Sequence, residues 1–260
     1  MKRIVIKVGS RTISHDSGLL NLRKMEQLAQ ILSDLSNAGN EVILVSSGAM
    51  AAGRGKMHVH ERPMALKEKQ ALASIGQCEL MYIYDKFFSQ YSKIVAQMLM
   101  TKNVVVDENL RQNASNTIET LLKQGVIPII NENDSVATDE IVYGDNDTLS
   151  AITAKLVHAD LLIVLSDIDG FYDKNPTKFD DATLLSRIEA ISDDIEAMAD
   201  DTNNDIGTGG MITKIKAAKI ATESGCDMLI ISGSDFNNIY KVMDGEVIGT
   251  LFKAKRKELI

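Results

Sequence analysis

Cysteine, histidine and proline are scarce in this chain, with 2, 4 and 3 copies among 260 residues. Cys78 and Cys226 stand far apart and form no CxxC pair, and so few histidines leave no zinc-binding pattern; no metal-ligating set is assigned. Core packing is the expected role of both thiols, and their low number suits a reducing cytoplasm. Prolines are few, and no Pro/Ser-rich linker, low-complexity segment or repeat interrupts the chain. It therefore reads as one compact domain, residues 1–260, with an N-terminal lobe to residue 160 and a C-terminal lobe from 161. Basic charge is also lacking. A net charge of -8 and a pI near 5.1 argue against a general nucleic-acid binder, which needs a basic face. Any anionic substrate must be met by lysines concentrated locally. Neither a signal-peptide layout nor an apolar stretch long enough to span a membrane is present, so the expectation is a cytoplasmic protein.

What the chain does have is enough apolar sequence for a full core, with 45% hydrophobic and 25% charged residues. Short apolar runs recur, each ending in small or polar residues. Ile4 to Val8 ends at Gly9-Ser10, and Val42 to Val45 at Ser46-Ser47-Gly48-Ala49. Val126 to Ile130 ends at Asn131-Glu132-Asn133-Asp134, Leu161 to Leu165 at Ser166-Asp167, and Met228 to Ile231 at Ser232-Gly233-Ser234. Uninterrupted runs of this kind fit strands buried on both faces, as in a parallel sheet. Helical spacing lies between them: Leu22, Met25, Leu28, Leu32 and Leu35, stopping near Gly39; then Leu149, Ile152 and Leu156; then Ile212, Ile215 and Ile220. Alternating strands and helices predict an open, mainly parallel sheet with helices on both faces, a three-layer αβα sandwich. Ligands bind such sheets beyond the C-terminal ends of the strands, where these polar clusters fall. Residues 135–145 have the character of a hairpin over that edge.

The segment Gly207-Thr208-Gly209-Gly210-Met211-Ile212-Thr213-Lys214 is a glycine turn opening a helix. Free N–H groups and a partial positive charge at a helix start suit a phosphate, and Lys214 adds a full charge about one turn in. It is not a Walker A loop, which needs Gly-Lys-Ser/Thr. Nor is it a dinucleotide fingerprint, because Ile212 stands where the third glycine belongs. Lys7 interrupts an apolar strand; it either reaches a ligand or a carboxylate, or snorkels from an edge. Ser47-Gly48-Ala49 is either an anion-binding turn or an ordinary one. Asn131 to Asp134 and Gly144-Asp145-Asn146-Asp147 gather amides and carboxylates, a mixture able to hold the ammonium and carboxylate groups of an amino acid. Asp147 also fits a helix N-cap, a position from which it could orient nearby lysines. Asp167, after the fourth run, could hold ribose, a magnesium ion through water, or nothing.

These blocks resemble the glutamate 5-kinases, a branch of the amino-acid kinase superfamily. The resemblance rests on Ile6-Lys7-Val8-Gly9-Ser10, Ser46 to Ala49, Ile130 to Thr138, Gly144 to Asp147 and Gly207 to Lys214. It runs in order out to Gly249-Thr250-Leu251-Phe252 and departs at Arg11-Thr12, where small or apolar residues are usual. It implies ATP-dependent phosphorylation of the side-chain carboxylate of L-glutamate, with Mg2+, at the start of proline biosynthesis. By resemblance, Lys7 and Lys214 grip the transferring phosphoryl group and Asp147 holds both lysines. Ser47, Gly48, Ala49, Asn131, Asp134, Asp145 and Asn146 surround glutamate. Lys7, Gly9, Ser166, Asp167, Thr208, Gly209, Gly210, Met211, Ile212, Thr213 and Lys214 seat ATP. Proline as feedback inhibitor, a downstream glutamyl-phosphate reductase and a homo-oligomer are further expectations, as is the lack of the C-terminal PUA domain that many members carry. Kinases of acetylglutamate, aspartate or carbamate on the same scaffold, or a non-catalytic amino-acid sensor, remain the alternatives.

Overall fold

Every one of the uninterrupted apolar runs is a strand in the computed structural model, which describes residues 1–59, 65–101, 103–137, 146–201 and 210–255. They are β1 (Arg3–Val8), β2 (Glu41–Ser46), β4 (Ile127–Glu132), β5 (Leu161–Ser166) and β7 (Asp227–Ser232), joined by β3 (Val95–Met100) and the short β6 (Arg187–Ile188) and β8 (Thr250–Phe252). The helices are α1 (Leu22–Asn37), α2 (Ala49–Lys56), α3 (Leu66–Ser89), α4 (Asn103–Val106), α5 (Glu108–Lys123), α6 (Asn146–Leu156), α7 (Asp193–Asp201), α8 (Met211–Glu223) and α9 (Asn238–Met243). The strands form one 8-stranded sheet in the order β3-β4-β2-β1-β5-β7-β8-β6. Its pairings are parallel except for the antiparallel β7–β8 pair.

Each face of the sheet has its own core. Successive side chains of a strand point to opposite faces, so Ile4, Ile6 and Val8 of β1 join Leu28 and Leu32 of α1 and Leu80, Tyr84 and Phe88 of α3. Val5 faces the other way, with Ile118 of α5, Leu149 and Ile152 of α6 and Ile215 and Ala218 of α8. This is the expected αβα sandwich. The alternation also puts Lys7 on the face covered by α6 and α8. The strand order reverses at β1, the kind of crevice in which open α/β sheets bind ligands.

Several elements differ from the sequence expectation. The edge strand β3 and the helices α3 and α5 fall outside the anticipated pattern. In β3, Gln97 breaks the apolar run, and the strand is only partly buried because no neighbour among the described residues pairs its outer side. Cys226 is buried as expected, but Cys78 lies exposed on α3 and takes no part in the core. The hairpin anticipated at 135–145 falls mostly outside the described residues.

Helices α2 and α3 cross with backbones in contact. A Cβ built on Gly53 would sit 2.0 Å from Leu72 O, and one built on Gly76 would sit 1.7 Å from Ala49 O. Only hydrogen at both positions permits this approach, which draws the start of α2 against α3. Gly76→Ala is therefore expected to lower the denaturant midpoint of unfolding, by about 1–3 kcal/mol or more in stability. Chemical denaturation of the variant checks this; an unchanged midpoint would show that the crossing has slack.

Candidate active site

Three buried charges meet beyond the end of β1. Lys7 Nζ lies 2.6 Å from Asp147 Oδ1, and Lys214 Nζ lies 3.2 Å from Asp147 Oδ2. Thr213 donates its hydroxyl to the same Oδ2 at 2.9 Å. Asp147 is 1% exposed, Lys7 7% and Lys214 6%. Burial alone would push the Asp147 carboxyl up. The charges of Lys7 and Lys214, with hydrogen bonds from Lys7 and Thr213, outweigh it and hold the group well below the usual carboxylate range. Two cations around one anion leave a net positive, buried centre at the end of β1, where electrostatic interactions are stronger than in water.

Local structure explains the meeting. Lys7 is brought there by strand alternation. Asp147 is the second residue of α6 rather than its N-cap, a correction to the capping expectation. Lys214 sits in the first turn of α8, next to Thr213. The N-cap of α8 is Gly210, which makes no side-chain capping bond. Among the described residues no side chain thus caps the first-turn N–H groups around Met211 and Ile212, an arrangement suited to phosphate oxygens.

A second cluster lies against the first, at the ends of β2 and β4 and the start of α6. Asn146 Nδ2 donates to Ser47 Oγ at 2.7 Å and to Asn131 Oδ1 at 2.9 Å. Asn131 Nδ2 donates in turn to Gln77 Oε1 on α3 at 3.0 Å. Gly48, with φ 110, turns the chain from Ser47 into α2 at Ala49. The positive φ favours glycine there, and a Cβ would meet only the flexible end of Ile13, Cδ1 at 2.9 Å. Asp134 is also buried, and its Oδ1 has no hydrogen-bond partner among the described residues. Burial pushes this carboxyl up to about 6.

The far side of the crevice carries the remaining described positions. Gly9 follows β1, where a Cβ would stand 3.4 Å from Lys7 Nζ. Ser166 closes β5 and bonds Asp167 Oδ1 at 3.2 Å. Arg11 donates to Asp167 Oδ2 at 2.9 Å, bridging the loop after β1 and the end of β5. Burial works against the Asp167 charge, but Arg11 and Lys214 lower its carboxyl overall. Asp145, Thr208 and Gly209 lie outside the described residues.

The structure thus joins Lys7, Asp147, Thr213 and Lys214 in one cluster and Ser47, Asn131 and Asn146 in another. Gln77 and the Arg11–Asp167 bridge were not singled out from sequence. Gln77 could have been found as the polar member of the α3 stripe Ala73, Gly76, Leu80, Tyr84, because a buried polar side chain in an apolar stripe is informative. Among the described residues no group of three or more His, Cys, Asp or Glu is arranged to hold a metal ion. The cluster has neither histidine nor cysteine. Its means of acting are fixed charges and hydrogen-bond donors aimed at anions.

Comparison with known proteins shows the family of the chain. The model of the amino acid kinase family matches residues 2–232. A glutamate 5-kinase of Clostridium perfringens is 48% identical over 261 residues, covering 99% of this chain and 97% of that protein. One from Listeria monocytogenes serotype 4a is 51% identical over 262 residues, covering 99% and 95%. One from Caldanaerobacter subterraneus is 52% identical over 250 residues, covering 96% of this chain and 67% of that longer protein.

Two stability measurements probe the charges. Asp147→Asn leaves two buried lysines without their counter-charge and should cost about 3–5 kcal/mol at pH 7. Because the Asp147 carboxyl is depressed in the fold, the advantage of the wild type is full above its unfolded value near pH 4. It should shrink by about 1 kcal/mol by pH 3. An advantage that stays constant on acidification would contradict the ion-pair geometry. Asp134 has the opposite sign. Raised to about 6, its ionisation opposes folding above that pH and not below about pH 4. Ligand-free Asp134→Asn should be more stable than wild type by about 1–2 kcal/mol at pH 7 and no more stable at pH 4. Urea unfolding at the two pH values reads this out, and a less stable variant at pH 7 would overturn it.

Proposed function

The chain belongs to the amino acid kinase family, and from that premise we propose that it transfers the γ-phosphoryl group of ATP to the side-chain carboxylate of L-glutamate. The products are ADP and L-glutamyl 5-phosphate, and the reaction opens proline biosynthesis. The observation that carries this reading is the Lys7–Asp147–Lys214 cluster lying against the Ser47–Asn146–Asn131 chain. It provides a positive centre for a moving phosphoryl group beside polar groups suited to an amino acid.

The nucleophile needs no activation. A glutamate side chain ionises at about 4.3, so it is a carboxylate at neutral pH and no general base is required. One of its oxygens attacks Pγ, the bond from Pγ to the β-bridging oxygen breaks, and ADP leaves with those electrons. The difficulty is charge, since an anion approaches a polyanion. Lys7, from the substrate side, and Lys214, from the nucleotide side, would stabilise the equatorial oxygens of the in-line transition state. Asp147 would fix the spacing of the two ammonium groups, and Thr213 would steady its carboxylate.

On the substrate side, Ser47, Gly48, Ala49, Asn131, Asn146 and Asp145 would hold L-glutamate, with Asp134 facing its ammonium group. On the nucleotide side, Gly9, Ser166, Asp167 and the segment Thr208 to Lys214 would seat ATP. Apart from the loop after β1 at Gly9, this assigns residues before 160 to the amino acid and those after it to the nucleotide. Magnesium enters as MgATP, and hard phosphate oxygens with one carboxylate suit it. Asp167 would meet its waters, and the ion would neutralise charge shared between the β- and γ-phosphates.

The same buried acceptor and hydroxyl could hold the amino and carboxylate groups of proline as an inhibitor. The acyl phosphate product is reactive enough to call for a reductase to consume it. A homo-oligomer is supported by the outer side of β3, which no strand among the described residues pairs, and by the exposed Ile94 and Leu99 before and on that strand. No helix of the described residues is long and apolar enough to cross a membrane, and a cytoplasmic setting fits the substrates.

Hydroxylamine trapping of the acyl phosphate, with ADP release as a second readout, tests the function across L-glutamate, acetylglutamate, aspartate and carbamate. L-glutamate should dominate. Lys7→Ala and Lys214→Ala should each lower kcat by about 10^2–10^3-fold with little change in glutamate KM. Near-normal turnover in either variant would remove that lysine from the transition state.

A further inference from the structure

The hydrogen-bonded chain that starts at Ser47 does not stop at the residues assigned to glutamate. It ends on Gln77, a side chain of α3 that is 8% exposed and set in an otherwise apolar stripe. Counting donors gives one consistent direction along its length. A carboxamide nitrogen carries two N–H groups, and Asn146 uses its pair on Ser47 Oγ and Asn131 Oδ1. With its oxygen turned to Asn146, Asn131 must turn its nitrogen to Gln77, which therefore has to offer an oxygen. At the other end Ser47 Oγ is an acceptor from Asn146, so its own proton is free to point into the pocket.

The opposite direction is self-consistent as well, and it would suit the substrate badly. Turning over Gln77, Asn131 and Asn146 would make Ser47 donate to Asn146 and leave lone pairs facing an anionic ligand. Gln77 is held where it is by the crossing of α2 and α3, because its neighbour Gly76 touches the Ala49 backbone. We propose that Gln77 is a positioning residue: by accepting from Asn131 it fixes the direction of this chain, so that Ser47 donates its hydroxyl proton to a carboxylate of bound L-glutamate. The inference rests on the reading of this site as the L-glutamate pocket.

Steady-state kinetics with L-glutamate and MgATP varied in turn test it, with thermal unfolding in parallel. Gln77→Met keeps the shape and removes the acceptor. It should raise the KM for L-glutamate about tenfold, the scale of one hydrogen bond to a charged group. The KM for MgATP and kcat should stay near wild type, and the unpaired Asn131 N–H should lower Tm by no more than about 2–4 °C. Gln77→Glu retains an acceptor toward Asn131 and should show a lower glutamate KM than Gln77→Met. Should the Met variant not fold, Gln77→Glu carries the test alone: a glutamate KM within about threefold of wild type supports the role, and a rise of about tenfold or more overturns it. An unchanged glutamate KM in Gln77→Met overturns it, as does a joint loss in both KM values, kcat and Tm, which would mark a purely structural side chain. Wild-type protein without glutamate-dependent ADP formation would instead sink the proposed function itself.

Discussion

The arrangement around β1 depends on one carboxylate. Two ammonium groups buried together repel each other and lose their hydration, and either effect alone would drive them apart or out to solvent. Asp147 makes their proximity tolerable by presenting one oxygen to each. Its own burial is tolerable for the same reason. Each charge is supplied by a different element, so β1, α6 and α8 must dock correctly for any of them to be satisfied. The electrostatic centre thus serves as a check on the packing of that face of the sheet.

The second cluster works by a complementary principle. It is uncharged along its length, from Ser47 through Asn146 and Asn131 to Gln77. Neutral amides can be buried once their hydrogen bonds are made, and a chain of them transmits orientation without adding charge. A charge-stabilising centre beside an orientation-setting chain matches a reaction whose nucleophile is already ionised. Proton transfer has no part in the chemistry, and the absence of histidine and cysteine from the cluster fits that.

Much of the fold was legible because parallel strands buried on both faces leave uninterrupted apolar runs. Lys7 stood out against such a run, and the acidic and amide blocks stood out at the strand ends. What was not legible depended on partners distant in sequence. Asp147 looked like a cap because its spacing to Leu149 and Ile152 is that of a cap; its engagement with Lys7 and Lys214 follows from the docking of α6 on β1 and α8. Edge strand β3 was hidden because an edge tolerates Gln97 where an interior strand would not. Gln77 was hidden because one glutamine in a helix carries no signal until its apolar neighbours are recognised as a buried stripe.

Asp134 gives the protein an unusual relation to its substrate. A buried carboxylate without a described partner at one oxygen is a deficit in the folded state, and on the proposed reading the ammonium group of glutamate makes good that deficit. The amino acid then completes the interior as a missing side chain would. Ligands that bind the fold and not the unfolded chain stabilise it in proportion to the logarithm of their concentration. The lifetime of this protein in the cell would accordingly rise and fall with the glutamate pool, and starvation for the substrate would thin out the enzyme as well as idle it.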